Sequence, residues 1–136
     1  MAARYLADTS AWNRSGRVQD RWSELIEGNE LALCAPIRLE LLYSARGRAD
    51  YDALAEDLLG LPNLSVDDRV EANALRAQAA LARRGQHRGP TPVDLLIAAV
   101  AEAHGVILLH YDSHFDLIAR ATGQDAEWVG RRGSLD

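Results

Sequence analysis

The chain has 136 residues, 48% of them hydrophobic, which fits one compact domain over residues 1–136 with a real core and leaves no room for two. A formal net charge of -5 excludes a protein that holds nucleic acid by bulk positive field, and a single cysteine, Cys34, excludes an internal disulfide framework. The sequence contains no lysine, so Schiff-base chemistry and a Walker-type phosphate lysine are excluded as well.

The start, through Tyr5-Leu6-Ala7-Asp8, lacks a signal-like apolar run, and no later stretch has the length of a membrane span. A soluble, cytoplasmic protein with no membrane partner is expected. Tyr5 to Ala7 reads as a short strand running into a helix cap at Asp8-Thr9-Ser10. Val18 to Glu27 carries Trp22, Leu25 and Ile26 at helical spacing and stops at Gly28-Asn29. Leu31 to Ala35 reads as a second buried strand with Cys34 as a small hydrophobe inside it.

Pro36 suits the first turn of a helix in which Ile37, Leu41 and Leu42 share a face, and Glu40 lies about one turn in. Helices are predicted over Asp50 to Leu59 and Asp67 to Arg84, the second opened by Asp67-Asp68 with Glu71 behind. The basic, glycine-containing stretch from Arg83 to Pro90 is a loop. Thr91 then caps a helix with Pro92 at its first position and Asp94 at its third.

Val106 to Leu109 is the clearest strand, and its continuous apolar character suits a parallel strand covered on both faces. Asp112-Ser113 starts a helix through Arg120, and Glu127 to Val129 adds an edge strand. Strands alternate with helices throughout, which predicts an α/β fold, a three-layer α/β/α sandwich around a mostly parallel sheet.

Asp8, Glu40, Asp94 and Asp112 fall at strand-to-helix junctions or in the helices that follow them. Taken singly, three read as helix caps and Glu40 as a solvated residue beside Arg38. A parallel sheet, however, gathers the carboxyl ends of its strands at one edge, so all four converge. Two carboxylates ~4 Å apart repel by about 4 kcal/mol at an effective dielectric near 20, a penalty that a cation removes. Oxygen-only ligation selects hard ions, Mg2+ with Mn2+ as substitute, and the chemistry such ions support here is phosphodiester hydrolysis. No Gly-x-Ser-x-Gly elbow competes, and His110 with His114 lacks the His-Glu-x-x-His pattern and a third ligand for zinc.

Four segments in order resemble the PIN domain, and specifically VapC-type ribonuclease toxins of bacterial toxin-antitoxin modules: Leu-Ala-Asp-Thr-Ser-Ala-Trp (6 to 12), Ile-Arg-Leu-Glu-Leu-Leu-Tyr-Ser-Ala (37 to 45), Pro-Val-Asp-Leu-Leu-Ile-Ala-Ala (92 to 99) and Leu-His-Tyr-Asp-Ser-His-Phe-Asp-Leu-Ile-Ala (109 to 119). The stretch 122 to 129 resembles actinobacterial members. The resemblance implies a metal-dependent endoribonuclease cutting tRNA or rRNA, with Asp8, Glu40, Asp94 and Asp112 as the acidic site. Asp116 is an additional metal ligand, and Thr9 or Ser10 positions a ligand water. It also implies a homodimer and a VapB-type antitoxin, for which Trp12, Trp22, Leu41, Leu42 and Tyr43 are contact candidates if they are not core. Family members often read Asp-x-Asp-Phe in the last motif, whereas this chain has Asp112-Ser113-His114-Phe115, which bears on a second metal. The alternatives are a PIN-like module that binds RNA or antitoxin without cutting, and a phosphoacceptor receiver domain, which the absence of lysine disfavours.

Around an acidic pit, RNA must be held by other charges. Arg46 with Arg48, Arg131 with Arg132, and the loop group Arg83, Arg84 and Arg88 are the basic candidates, and the loop group is preferred.

Overall fold

The computed structural model describes residues 3–136; Met1 and Ala2 lie outside it. Four parallel strands form the sheet: β1 (Tyr5–Ala7), β2 (Leu31–Ala32), β3 (Ile107–His110) and β4 (Ala126–Trp128), in the spatial order β2-β1-β3-β4. Tyr5 pairs with Leu31 on one side and Ile107 on the other, and Leu109 with Glu127, so all three pairings are parallel.

The described helices are α1 (Thr9–Trp12), α2 (Gln19–Glu27), α3 (Ala35–Tyr43), α4 (Arg48–Leu58), α5 (Asp68–Arg83), α6 (Pro92–Ala103) and α7 (His114–Thr122), with a 3-10 turn at Ser15–Arg17. Alternation along the strands divides the core in two, as a two-residue side-chain period requires. Leu6 and Leu108 join Ile37, Val70, Leu81, Ile97, Phe115 and Ile118 on the face covered by α3 to α7. Tyr5, Ala7, Leu31 and Leu109 join Ala11, Trp22 and Leu25 on the face covered by α1 and α2. The three-layer sandwich is therefore present, with every described strand pair parallel. No helix among the described residues is long and apolar enough to cross a membrane.

Several boundaries differ from the sequence reading. The second strand ends at Ala32 rather than Ala35, because Leu33 leaves the ladder to bridge Asn63 and Pro36 places Ala35 already in α3. Cys34 is thus the residue before a helix, fully buried, and burial pushes its thiol up to about 11, an inert state. Glu40 is the sixth residue of α3, just past its first turn, as the spacing predicts. The helix expected from Asp50 begins at Arg48, where the Asp50 carboxylate accepts from the Arg46 N–H. Asp67 caps α5 by accepting from the Arg69 and Val70 N–H groups, which hold its carboxyl below the usual range. The clearest strand runs one residue later than expected, to His110, and α7 begins at His114 and runs to Thr122, where Gly123 at φ +78 supplies the left-handed stop.

Candidate active site

Each acid reaches the carboxyl edge through local structure that the sequence specifies. Asp8 follows β1 with its own N–H on the Leu109 carbonyl of neighbouring β3 (2.9 Å), and its Oδ2 accepts from the Ser10 N–H (2.9 Å) to start α1. Asp94 completes a capping box: the Thr91 hydroxyl accepts from its N–H (3.1 Å), and its Oδ2 accepts from the Thr91 N–H (3.0 Å). Asp112, two residues past β3, accepts the His114 N–H on Oδ1 (2.9 Å). Glu40, on the exposed face of α3, accepts the Thr9 hydroxyl on Oε1 (2.8 Å).

The helix-capping and site readings of these acids are therefore compatible. Asp8, Asp94 and Asp112 accept these bonds from within three residues and Glu40 accepts its own from α1, which leaves Glu40 Oε2, Asp94 Oδ1 and Asp112 Oδ2 without a described partner. No described cation forms an ion pair with Asp8, Glu40 or Asp94.

Asp8 is the deepest of them at 4% exposure. Burial, with the charges of Asp94 and Glu40 adding to it, pushes its carboxyl up to about 6, while the Ser10 hydroxyl and N–H pull the other way. Asp8, Glu40 and Asp94 thus share one electrostatic field. Asp112 stands at the end of the adjacent strand, half-exposed. Among the described residues no three His, Cys, Asp or Glu side chains are drawn into a ready metal cage. The convergence expected of all four acids is therefore not drawn as one cluster, and the described link is that of Asp8 with Asp94 and Glu40, whose charges raise its carboxyl.

The other candidates are placed as follows. Asp116 faces Trp128, whose indole N–H donates to its Oδ1 (3.1 Å), and the same oxygen is 3.9 Å from His110 Nε2. The Ser10 hydroxyl accepts from the Tyr111 N–H (2.9 Å), tying α1 to the end of β3. Trp22 is core and stacks edge-on against half-buried Trp12 at 4.8 Å. Tyr43 and Leu39 on α3 stand 92% and 68% exposed beside Glu40. Arg83, Arg84 and Arg88 are exposed; Arg83 is the last residue of α5 rather than the start of a loop, Arg84 donates to the Arg120 carbonyl near the end of α7 (3.3 Å), and Gly89 lies near His114 and Leu117.

His110 has a part that sequence spacing did not suggest. It is fully buried in β3, and its Nδ1 accepts from the Asp112 N–H (3.2 Å), which leaves the proton on Nε2. Burial holds it below the usual imidazole range, so it is neutral at pH 7 and anchors the backbone that carries Asp112. A zinc pair with His114 is not formed, since His110 is enclosed by Phe115 and Trp128 at 5.3 and 5.0 Å.

The described residues thus form a parallel sheet with acidic residues past the ends of its strands and in the helices around them. The PIN domain profile matches residues 5–121. Ribonuclease VapC18 of Mycobacterium tuberculosis is 41% identical over 135 residues, covering 96% of this chain and 98% of its own. Ribonuclease VapC51 of the same organism is 39% identical over 138 residues and covers both chains completely. The DNA-bound VapBC structure from Salmonella typhimurium superposes with a TM-score of 0.76 at 19% identity, over 95% of this chain and 100% of that one, a likeness of fold. The chain belongs to the PIN-domain family, within which the relatives it resembles are VapC ribonucleases.

Proposed function

We propose that this chain is a metal-dependent endoribonuclease, the toxin component of a toxin-antitoxin module, built as one domain over residues 1–136. The observation that carries the reading is the set of four acids past the strand ends and in the helices around them, three of which lack any described counter-charge while Asp112 faces His114. The donors fit a hard divalent ion, since they are all oxygens, and a carboxylate as deeply buried as Asp8 gains most from such a partner.

Asp8, Asp94 and Asp112 are the residues to hold Mg2+, for which Mn2+ substitutes, and Asp116 extends the set once it turns from Trp128. Glu40, more exposed and tied to Thr9, is placed to take a proton from an attacking water. The ion, when bound, supplies a water of lowered pKa and charge stabilisation at the leaving oxygen. Chelation is therefore expected to abolish cleavage of total RNA and added Mg2+ or Mn2+ to restore it. Cleavage that persists in EDTA would overturn the reading, and no cleavage under either ion would favour a PIN-like module that binds RNA or antitoxin without cutting. That second reading rests on His114, whose Nδ1 lies 3.6 Å from Asp112 Oδ1 where a further carboxylate would otherwise serve.

The substrate is RNA, tRNA or rRNA on the pattern of the family, and the protein acts in the cytoplasm as a homodimer held in check by a VapB-type antitoxin. The relatives are named VapC ribonucleases, and two of the neighbouring structures are DNA-bound VapBC complexes, which supports RNA as substrate and a VapB-type partner. Exposed Leu39 and Tyr43 beside Glu40 offer apolar anchors for such a partner. Arg83, Arg84 and Arg88 are assigned to the RNA backbone. Replacing all three with glutamine is expected to flatten the salt dependence of RNA binding by about 0.7 in log-log slope for each phosphate left without its arginine. An unchanged slope removes the loop from the binding path.

A further inference from the structure

A cavity of about 300 Å3 opens beside Asp112, lined by Arg14, Tyr111, Trp128, Arg132 and Asp136. Four of these side chains form a ladder. The Arg14 guanidinium lies 4.9 Å from the Tyr111 ring centroid, Tyr111 meets Trp128 edge-on at 5.3 Å, and Arg132 lies 5.5 Å from the Trp128 ring. Neither guanidinium makes a hydrogen bond or ion pair with any described residue.

Stacking uses the face of a guanidinium and leaves its in-plane N–H donors free, so each arginine is held in place with its fork unspent. The fork matches a phosphate, and rigid placement lowers the entropy lost on binding. The pair stands beside Asp112 without bonding to its carboxylate.

The fifth side chain carries the opposite charge. Asp136 Oδ1 accepts from the Tyr111 hydroxyl (2.9 Å), and Arg17 donates to the Asp136 carbonyl (2.8 Å). Leu135 donates its N–H to the same Tyr111 hydroxyl and packs against Gly130, where a Cβ would lie 2.7 Å from a Leu135 methyl. The end of the described chain is thereby tied to Tyr111, and the exposed Asp136 carboxylate lines the same depression as the two arginines.

The geometry points to a backbone-phosphate subsite for the RNA strand at Arg14 and Arg132, opposed by Asp136. This rests on the ribonuclease reading and extends it, since it assigns the strand a path over the β4 side of Asp112. The two arginines raise affinity by charge-assisted bonds to one or two phosphates, and Asp136 lowers it by repulsion.

The test is binding of a short fluorescein-labelled single-stranded RNA, followed by anisotropy across a KCl series in EDTA so that cleavage does not enter. The Arg14→Gln/Arg132→Gln variant is expected to bind several-fold more weakly, with a slope shallower by about 0.7 for each phosphate no longer neutralised. Asp136→Asn keeps the acceptor for Tyr111 and is expected to bind more tightly than the wild type. Damage to the fold does not produce effects of opposite sign, and exposed Arg132→Gln alone serves if the double variant fails to fold. An unchanged slope in the arginine variants, no gain with Asp136→Asn, or no measurable binding by the wild type overturns the subsite. If the wild type cleaves RNA and the slopes do not move, the subsite fails and the ribonuclease reading stands. If the slopes move and nothing is cleaved, the reverse holds.

Discussion

Asp8→Asn is expected to remove RNA cleavage while making the metal-free protein more stable. Loss of activity should exceed the roughly 10–100-fold that outer-shell partners of a metal cost, because the residue proposed to hold the ion is itself changed. The gain in stability comes from the same burial. A carboxyl whose pKa rises from 3.8 unfolded to about 6 folded holds its proton more tightly in the folded state. Its cost is absent below pH 3.8, grows through the interval up to about 6, and is complete above it. Two units correspond to about 3 kcal/mol at neutral pH.

Asparagine removes that cost and still accepts the Ser10 N–H as a cap. Urea unfolding at pH 7 in EDTA should therefore place Asp8→Asn above the wild type. Mg2+ should then raise the melting temperature of the wild type and leave the variant nearly unmoved. An equal response of both to Mg2+ would remove Asp8 from the metal site.

The acid limb of the stability curve gives an independent check. Wild-type protein without metal gains stability from Asp8 as pH falls from 7 towards 4. His110 opposes this, since an imidazole held below its ordinary 6.5 by burial takes up its proton more readily when unfolded, so its contribution is lost as pH falls. With the Asp8 contribution gone, Asp8→Asn leaves the losses from His110 and Asp67 unopposed and should unfold more steeply in acid than the wild type.

Phe115→Ala is expected to give the largest loss of stability among single changes near the site, about 3–5 kcal/mol in urea unfolding. Phe115 is the only phenylalanine of the chain, 1% exposed, in the first turn of α7. It packs on the face covered by α3 to α7 and lies 5.3 Å from the His110 ring. Its N–H also bonds the Asp112 carbonyl (3.1 Å), so a cavity there loosens the turn that carries Asp112. Against a total of about 5–15 kcal/mol for a domain, the folded protein survives in a weakened form. Its Mg2+ affinity should fall with its stability, and Phe115→Leu should recover much of both. A loss below about 1 kcal/mol would show that α7 is not anchored through this ring.

The fold was legible because its signals are local. Continuous apolar strands between capped amphipathic helices admit few arrangements other than a covered parallel sheet, and Thr91-Pro92 with Asp94 announces its capping box from the sequence alone. Boundaries were less legible where a tertiary partner decides them. Leu33 leaves its strand for Asn63, thirty residues away, and nothing near Leu33 foretells it.

The acidic site divides in the same way. That Asp8 and Asp112 follow strand ends while Glu40 and Asp94 sit in helices follows from where strands end and helices begin, which is a property of the sequence order. Which of them is costly does not follow, because cost depends on burial: Asp8 lies under the sheet edge while Glu40 points to solvent. The same holds for His110, read by spacing as half of a poor zinc pair and found as the buried acceptor that fixes the Asp112 backbone. Arg14 and Asp136 are 122 positions apart and share a cavity only because Tyr111 brings them together. The sequence by itself determined the sheet, its caps and the identity of the acids, since those rest on neighbours within a turn or a strand. Only the tertiary structure decided their burial, their spent and unspent oxygens and the arginines that flank them, since desolvation and stacking depend on residues far away along the chain.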